Sequence, residues 1–238
     1  MSASAAGPSV RIVLVRPRNP ENLGAVARAM KNFGLADWAV VALGTHDFAT
    51  ARRVAVHAED LLDRPRLCAT LDEAVADCAW VVGTSSRRVR GKRRLTPDEV
   101  AEGARERGGR TALVFGEERS GLDNEAVERC HDLSVIPTDA AQPSLNLAQA
   151  VIVYAYALRR ALAAPASPAP RPVAATDAEL VRVEEALRAA LRGGGFLAGP
   201  ERHAVKDLAA TLRRARLSRR EARLWLAALA RVGRALGR

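Results

Sequence analysis

Apolar positions along the first 160 residues fall into two alternating patterns. Short runs dense in Val, Ile and Leu recur: Arg11–Val15, Trp38–Ala42, Ala79–Gly83, Thr111–Phe115 and Leu133–Ile136. Between them, apolar residues return every three or four positions. That spacing predicts helices over Asn22–Phe33, Leu71–Cys78, Pro97–Arg107, Asn124–Cys130 and Ser144–Ala163. Gly34 should stop the first of these, and Thr96 should cap the helix that opens with Pro97. The stretch 43–66 is less regular; a helix is expected around Ala51–Leu62. Strands alternating with helices predict an α/β fold with a parallel sheet. Runs apolar at every position predict helices on both faces of it.

The pattern changes at Ala164–Ala175, APASPAPRPVAA, whose four prolines forbid a helix and favour an extended spacer. Beyond it the helical period returns at Asp177–Arg192, with Thr176 as its cap. Gly193-Gly194-Gly195 breaks it, and Glu201–Arg214 and Ser218–Leu236 follow. Ser218 and Glu221 have the spacing of a capping box. The expected organisation is a flexible N-terminus at 1–9, an α/β domain at 10–163, a Pro/Ala linker at 164–175 and a small all-α C-terminal domain at 176–238.

Composition adds one decisive fact. The formal charge is +10, and it is unevenly spread. Residues 1–163 carry 22 basic and 20 acidic side chains, residues 176–238 carry 14 and 7, and the linker adds Arg171. A polyanion is the expected partner, and the helical C-terminal segment holds most of the excess. A second basic cluster is Arg87-Arg88-Val89-Arg90-Gly91-Lys92-Arg93-Arg94. The candidate nucleic-acid contacts are thus Arg87, Arg88, Arg90, Lys92, Arg93 and Arg94, with Arg213, Arg214, Arg219 and Arg220. Aromatic residues are scarce, so backbone and shape recognition should outweigh base stacking. No apolar run reaches the ~20 residues of a spanning helix, and no signal-peptide layout opens the chain. Three widely spaced cysteines, Cys68, Cys78 and Cys130, read as reduced thiols of a cytoplasmic protein. Cys130-His131 has no further Cys or His at ligand spacing, so no metal is expected, and the four histidines read as surface or core residues.

Chemistry in a parallel sheet belongs at strand ends. Three loops stand out there: Arg16–Arg28, Gly116–Leu122 and Pro137–Leu147. Gly24 lets a backbone come close, and Arg28 lies one helical turn after it. Asn22 and Ser144 stand where helices begin and would cap them, and Glu117 reads as a solvated loop charge. The dinucleotide fingerprint, the Walker A motif, the nucleophile elbow and the zinc-protease motif are all absent.

Together the three loops resemble the SPOUT class of RNA methyltransferases, in the TrmH (SpoU) family. Asn22-Leu23-Gly24-Ala25-Val26-Ala27-Arg28 resembles the first family motif. Phe115-Gly116-Glu117-Glu118-Arg119-Ser120-Gly121-Leu122 resembles the second. Ile136-Pro137 with Ser144-Leu145-Asn146-Leu147-Ala148 resembles the third. The likeness covers about residues 10–162. The opening Arg11–Val15, the Gly83-Thr84-Ser85 strand end and the helical extension look most like the TrmJ group, which methylates the ribose of tRNA nucleotide 32.

The resemblance implies a sheet closed by a trefoil knot and a homodimer in which Arg28 completes the partner's site. It implies S-adenosyl-L-methionine held by Thr84, Ser85, Ser86, Gly116, Gly121, Ile136, Ser144 and Leu145. It implies transfer to a ribose 2′-hydroxyl of cytidine or uridine in tRNA. Catalytic roles fall to Arg28, Asn22, Ser144, Asn146 and Glu118. The family role for Arg28 is to take the hydroxyl proton. A guanidinium, with a pKa above about 12, can instead stay charged, grip the neighbouring phosphate and stabilise the alkoxide. The proton then leaves to water or to a phosphate oxygen. Asn22 and Asn146 would orient the substrate, Ser144 would hold Arg28 or the ribose, and Glu118 would brace the site. Two other readings stay open: a ribosomal RNA ribose methyltransferase of the same family, and a non-catalytic RNA-binding protein on the same scaffold.

Overall fold

The computed structural model describes residues 9–45, 47–163, 172–196 and 202–236. Most of the proposed linker, His46, the side chain of His203 and the residues before Ser9 lie outside what is described.

Seven strands form one parallel sheet: β1 (Val10–Val15), β2 (Trp38–Val41), β3 (Arg66–Cys68), β4 (Cys78–Thr84), β5 (Arg94–Leu95), β6 (Arg110–Phe115) and β7 (Asp132–Ser134). Their order is β3-β2-β1-β6-β4-β7-β5. The expected α/β class and parallel sheet are what the chain adopts. Alternate residues of each strand enter opposite cores. Ile12 and Leu14 of β1 join Trp80 and Val82 of β4 and Leu113 and Phe115 of β6 on one face. Val13, Val15, Val81, Ala112 and Val114 join the other. The first face is covered by α1 (Pro20–Asn32), α5 (Pro97–Glu106) and α7 (Leu147–Ala163), among others. Each fully buried Val, Leu or Ile here contributes roughly 1.5–3 kcal/mol.

Several boundaries differ from the periodicity. The region 51–62 is not one helix but two, α2 (Phe48–Val54) and α3 (Glu59–Leu62), parted where His57 turns to φ 64°. The helix α4 (Leu71–Val75) ends before Cys78, which is already in β4. The strand expected to run to Ile136 is Asp132–Ser134. The strands β3 and β5 are two- or three-residue edges that no periodicity reveals. Asn22 and Ser144 cap nothing. Asn19 caps α1 by accepting from Glu21 N at 2.9 Å. Asn146 stands at the start of α7, its Oδ1 accepting from Ala148 N at 2.8 Å. Thr96 and Thr176 cap their helices as read from sequence, and each also closes a capping box, with Glu99 and Glu179; the box read at Ser218 and Glu221 forms too.

After α6 (Asn124–Arg129), the helices α8 (Asp177–Gly193), α9 (Arg202–Arg214) and α10 (Arg219–Leu236) share a small core of Ala175, Leu180, Val183, Leu217 and Ala222. They are tied to the sheet domain through a buried charge cluster. Asp177, at the start of α8, is fully buried and receives Arg129, Arg213 and His131. Burial pushes its carboxyl up, but those partners outweigh it and hold the group far below the ordinary range. His131 Nδ1 accepts from Val81 N at 3.3 Å while Nε2 lies 2.9 Å from Asp177 Oδ1. Only the neutral Nε2–H tautomer serves both. Burial accordingly pushes the imidazole below its usual pKa.

Candidate active site

The strands β6, β4 and β7 are neighbours, so their carboxyl ends open side by side. The chain leaves each as a loop, and all three loops line one cavity of about 400 Å³, within the usual range of nucleoside-sized sites. Every residue assigned to cofactor lines it: Thr84, Ser85 and Ser86 after β4, Gly116 and Gly121 after β6, and Ile136, Ser144 and Leu145 after β7. Thr84 Oγ1 donates to Val114 O at 3.0 Å, and Ser85 N to Ser134 O at 2.9 Å, which fixes the floor. Ser86, Ser120 and Ser144 are exposed there. Tyr154 of α7 closes the apolar side, edge-on to Phe115, its hydroxyl donating to Ser134 Oγ at 2.7 Å. A side chain at Gly116 would collide with the backbone of Gly121 and Leu122, so the tight loop requires glycine there.

A second set of contacts joins the three motifs. Glu118 accepts from Asn22 Nδ2 at 3.0 Å and from the backbone N–H groups of Arg18 and Asn19, each at 3.2 Å. Asn22 Oδ1 in turn accepts from Asn146 Nδ2 at 2.9 Å. Burial pushes the Glu118 carboxyl up, but the hydrogen bonds from Asn22 and the backbone outweigh it and keep it below the ordinary glutamate range. An ionised carboxylate committed to three donors is poorly matched to taking a proton near neutral pH. Glu117 is not the solvated charge expected: its side chain is 10% exposed and pairs with Arg18 at 3.3 Å. Gly24 does admit a close backbone, that of Ala51 in α2, and is a packing residue. Arg28 is exposed on α1, away from this cavity, with no ion pair among the described residues.

The basic run divides. Arg88, Arg90 and Arg94 are exposed and unpaired among the described residues. The others serve the fold as well. Arg87 donates to Asn124 Oδ1 at 2.7 Å and to the carbonyls of Leu122 and Asp123. Lys92 Nζ serves the carbonyls of Glu128 and Cys130, and Arg93 forks onto Asp132. In the C-terminal helices Arg213 is held by Asp177 and Glu184, Arg219 by Glu179, and Arg220 is exposed. Arg214 reaches across to Gly91 O at 3.3 Å, so the two basic regions adjoin. Sequence reasoning missed these internal acceptors, since many are backbone carbonyls and the acidic side chains among them lie far along the chain.

Fold and site define a parallel α/β protein with three strand-end loops built around a nucleoside-sized cavity. The sequence model of the SpoU rRNA Methylase family matches residues 9–156, and the chain belongs to that family. It is 42% identical over 168 residues to a tRNA (cytidine/uridine/adenosine-2′-O-)-methyltransferase TrmJ of Pseudomonas aeruginosa. That match covers 67% of this chain but 64% of the relative, so the chain spans a little under two thirds of that protein's length. Among solved structures, TrmJ from Z. mobilis ZM4 is similar at TM-score 0.79 and 32% identity, over 95% of this chain and 99% of that one. A structure described by its 2-OH methylation of C/U34 on tRNA is similar at TM-score 0.52 and 29% identity, over 66% and 98% of the two chains.

Among the described residues no helix is long and apolar enough to cross a membrane, and no three His, Cys, Asp or Glu side chains gather as a metal site.

Proposed function

We propose that this protein transfers the methyl group of S-adenosyl-L-methionine to a ribose 2′-hydroxyl of tRNA, at cytidine or uridine 32 of the anticodon loop. The observation that carries the reading is the convergence of three loops on one cavity, tied together by the chain of contacts from Glu118 through Asn22 to Asn146. The names of the similar TrmJ proteins support the substrate.

The cavity suits the cofactor. Glycine at 116 and 121 keeps the loop thin, the hydroxyls of Ser86 and Ser144 can bind ribose or adenine, and Ile136 and Leu145 offer apolar walls. When bound, S-adenosyl-L-methionine supplies an electrophilic methyl group. The chain's own work is positioning, worth several powers of ten in rate. Glu118 fixes the loop at Arg18 and Asn19. Asn22 and Asn146 set the approach of the ribose. With Glu118 held ionised and hydrogen-bonded, the 2′-hydroxyl proton leaves to water or a phosphate oxygen.

Arg28 is proposed to serve the site of a second copy, gripping the phosphate beside the reacting ribose. Supporting this, Ile152 and Tyr156 are 40% and 53% exposed on α7, the helix packed against α1. A homodimer through that face would cover them and carry Arg28 across. The threading of the segment before α7 into a trefoil knot belongs to the same reading. So do a cytoplasmic location and the helices of 176–238 as an RNA-binding extension.

Ribose methylation mapped in tRNA from a deletion strain tests this. Loss at nucleotide 32 alone is expected. Unchanged tRNA with loss in ribosomal RNA would favour the ribosomal reading, and no loss anywhere a non-catalytic role.

A further inference from the structure

A second cavity, about 190 Å³, lies at the seam between the sheet domain and the C-terminal helices. It sits at the other end of β4 from the candidate active site, beside Ala79 and Trp80. Four strand steps separate Trp80 from Thr84, roughly 13 Å, so the two cavities are distinct. The connector 172–175 crosses it. A Cβ on Gly108 would meet Pro172 O at 2.6 Å, and Ala175 N donates to Leu217 O at 2.9 Å.

Three arginines line this cavity: Arg107, Arg213 and Arg216. Arg213 is neutralised by Asp177 and Glu184. The other two have no carboxylate partner among the described residues. The guanidinium of Arg107 is stacked on Trp80, 3.6 Å from the ring centroid. Trp80 is itself anchored, its Nε1 donating to Asp132 at 2.8 Å, and Arg93 forks onto the same carboxylate, whose charge is felt by Arg107 without a direct ion pair. Arg216 sits on a left-handed turn at φ 54°, a conformation a non-glycine residue adopts at a cost. Glu106 is the single carboxylate lining the cavity, and it is exposed. Burial, with added repulsion from Arg216, brings the Arg107 pKa down to about 9. The carbonyl end of α5 favours a cation at its cap, but that partial charge does not balance two guanidiniums.

We infer that this seam is a binding site for a phosphate-class oxyanion, held between Arg107 of the sheet domain and Arg216 of the C-terminal segment. Two guanidiniums offer paired N–H donors to one tetrahedral oxyanion. The Trp80 face keeps the first guanidinium preorganised. An anion there bridges the two parts of the chain and removes their repulsion. Free inorganic phosphate and a phosphodiester of bound RNA present the same chemistry. The RNA source rests on the tRNA reading above; the free-phosphate source does not.

Two measurements on the full chain distinguish them. Titration calorimetry with inorganic phosphate, at constant ionic strength in chloride, reads the free anion. The slope of log Kd for tRNA against log salt reads the phosphodiester. With free phosphate as occupant, wild type shows saturable binding, and Arg216→Gln raises its Kd at least tenfold. With RNA as occupant, Arg216→Gln reduces the tRNA salt slope by slightly under one, the loss of one phosphate contact. Arg107→Gln should reproduce whichever effect is seen, while Arg220→Gln should not affect phosphate binding. No phosphate binding by wild type, together with an unchanged salt slope in Arg216→Gln, overturns the proposal.

Discussion

The side-chain amide of Asn146 donates to Asn22 Oδ1 at 2.9 Å, across 124 positions of chain. Asn22 passes the connection to Glu118, so the starts of α1 and α7 and the loop after β6 are held as one unit. A substrate placed against any one of them is placed against all three.

Glu118→Gln should therefore disturb chemistry more than binding. The amide keeps one acceptor where the carboxylate served three donors, and its NH2 group opposes that of Asn22. Charge-assisted bonds at a half-exposed site contribute about 1 kcal/mol after solvent screening. The expected outcome is a small drop in Tm, a fall of at least tenfold in kcat, and cofactor affinity within a few-fold. Single-turnover kinetics beside calorimetry checks it. An unchanged kcat would show that the brace does not position the substrate.

Gly116→Ala should abolish cofactor binding. Its Cβ would overlap the backbone of Gly121 and Leu122, and backbone cannot step aside as a side chain can. Calorimetry with S-adenosyl-L-methionine reads the loss directly. Retained affinity would move the cofactor elsewhere.

The cluster around Asp177 makes stability pH-dependent. The neutral His131 imidazole has its pKa depressed in the folded chain, so the stability it carries is full above its unfolded value of about 6.5 and is lost as pH falls through the folded one. Asp177, also depressed, adds a loss of the same sign below about pH 3.9. Tm should be level from pH 8 to 7 and fall below 6.5, as the unfolding free energy drops by at most about 1.4 kcal/mol per pH unit for His131. His131→Asn should flatten that first segment. Asp177→Ala, which leaves Arg129 only the exposed Asp72 and Arg213 only Glu184, should cost about 3 kcal/mol, the low end for breaking a buried pair. A Tm profile identical in His131→Asn and wild type would mean that His131 does not titrate differently on folding.

Much of this architecture was legible in the sequence, for physical reasons that also explain what was not. The run Arg11–Val15 is apolar on both faces, and Thr96, Thr176 and Ser218 carry capping chemistry within three residues, so local pattern sufficed. Strands β3 and β5 are short edges whose residues are mostly exposed, each burying a single side chain, Cys68 or Leu95, too few to leave a period. The cap of α7 passed to Asn146 because its side chain reaches both Ala148 N and Gln149 N, with Gln149 returning the bond. The three loop motifs could be listed from sequence, but their contact through Asn22 is made by the sheet order. Asp177 read as nothing more than a helix start; its partners Arg129, His131 and Arg213 lie 36 to 48 positions away.

Arg28→Ala should end transfer while leaving cofactor affinity within a few-fold, and Arg28→Lys should fail too, since a point charge does not replace a planar fork. If Arg28 serves the partner's site, mixing Arg28→Ala with Gly116→Ala subunits should restore up to a quarter of wild-type activity, through one intact composite site per mixed dimer. No recovery in verified mixed dimers would place Arg28 in its own subunit's site or remove it from the chemistry.

The most direct measurement is transfer itself. Purified protein is incubated with unmodified tRNA and methyl-labelled S-adenosyl-L-methionine, and the labelled RNA is cut by alkali, which spares a linkage whose 2′-oxygen is methylated. The account predicts label in an alkali-resistant dinucleotide that mass spectrometry places at cytidine or uridine 32. Label recovered on a base, or no transfer by a protein that binds both cofactor and tRNA, would contradict it.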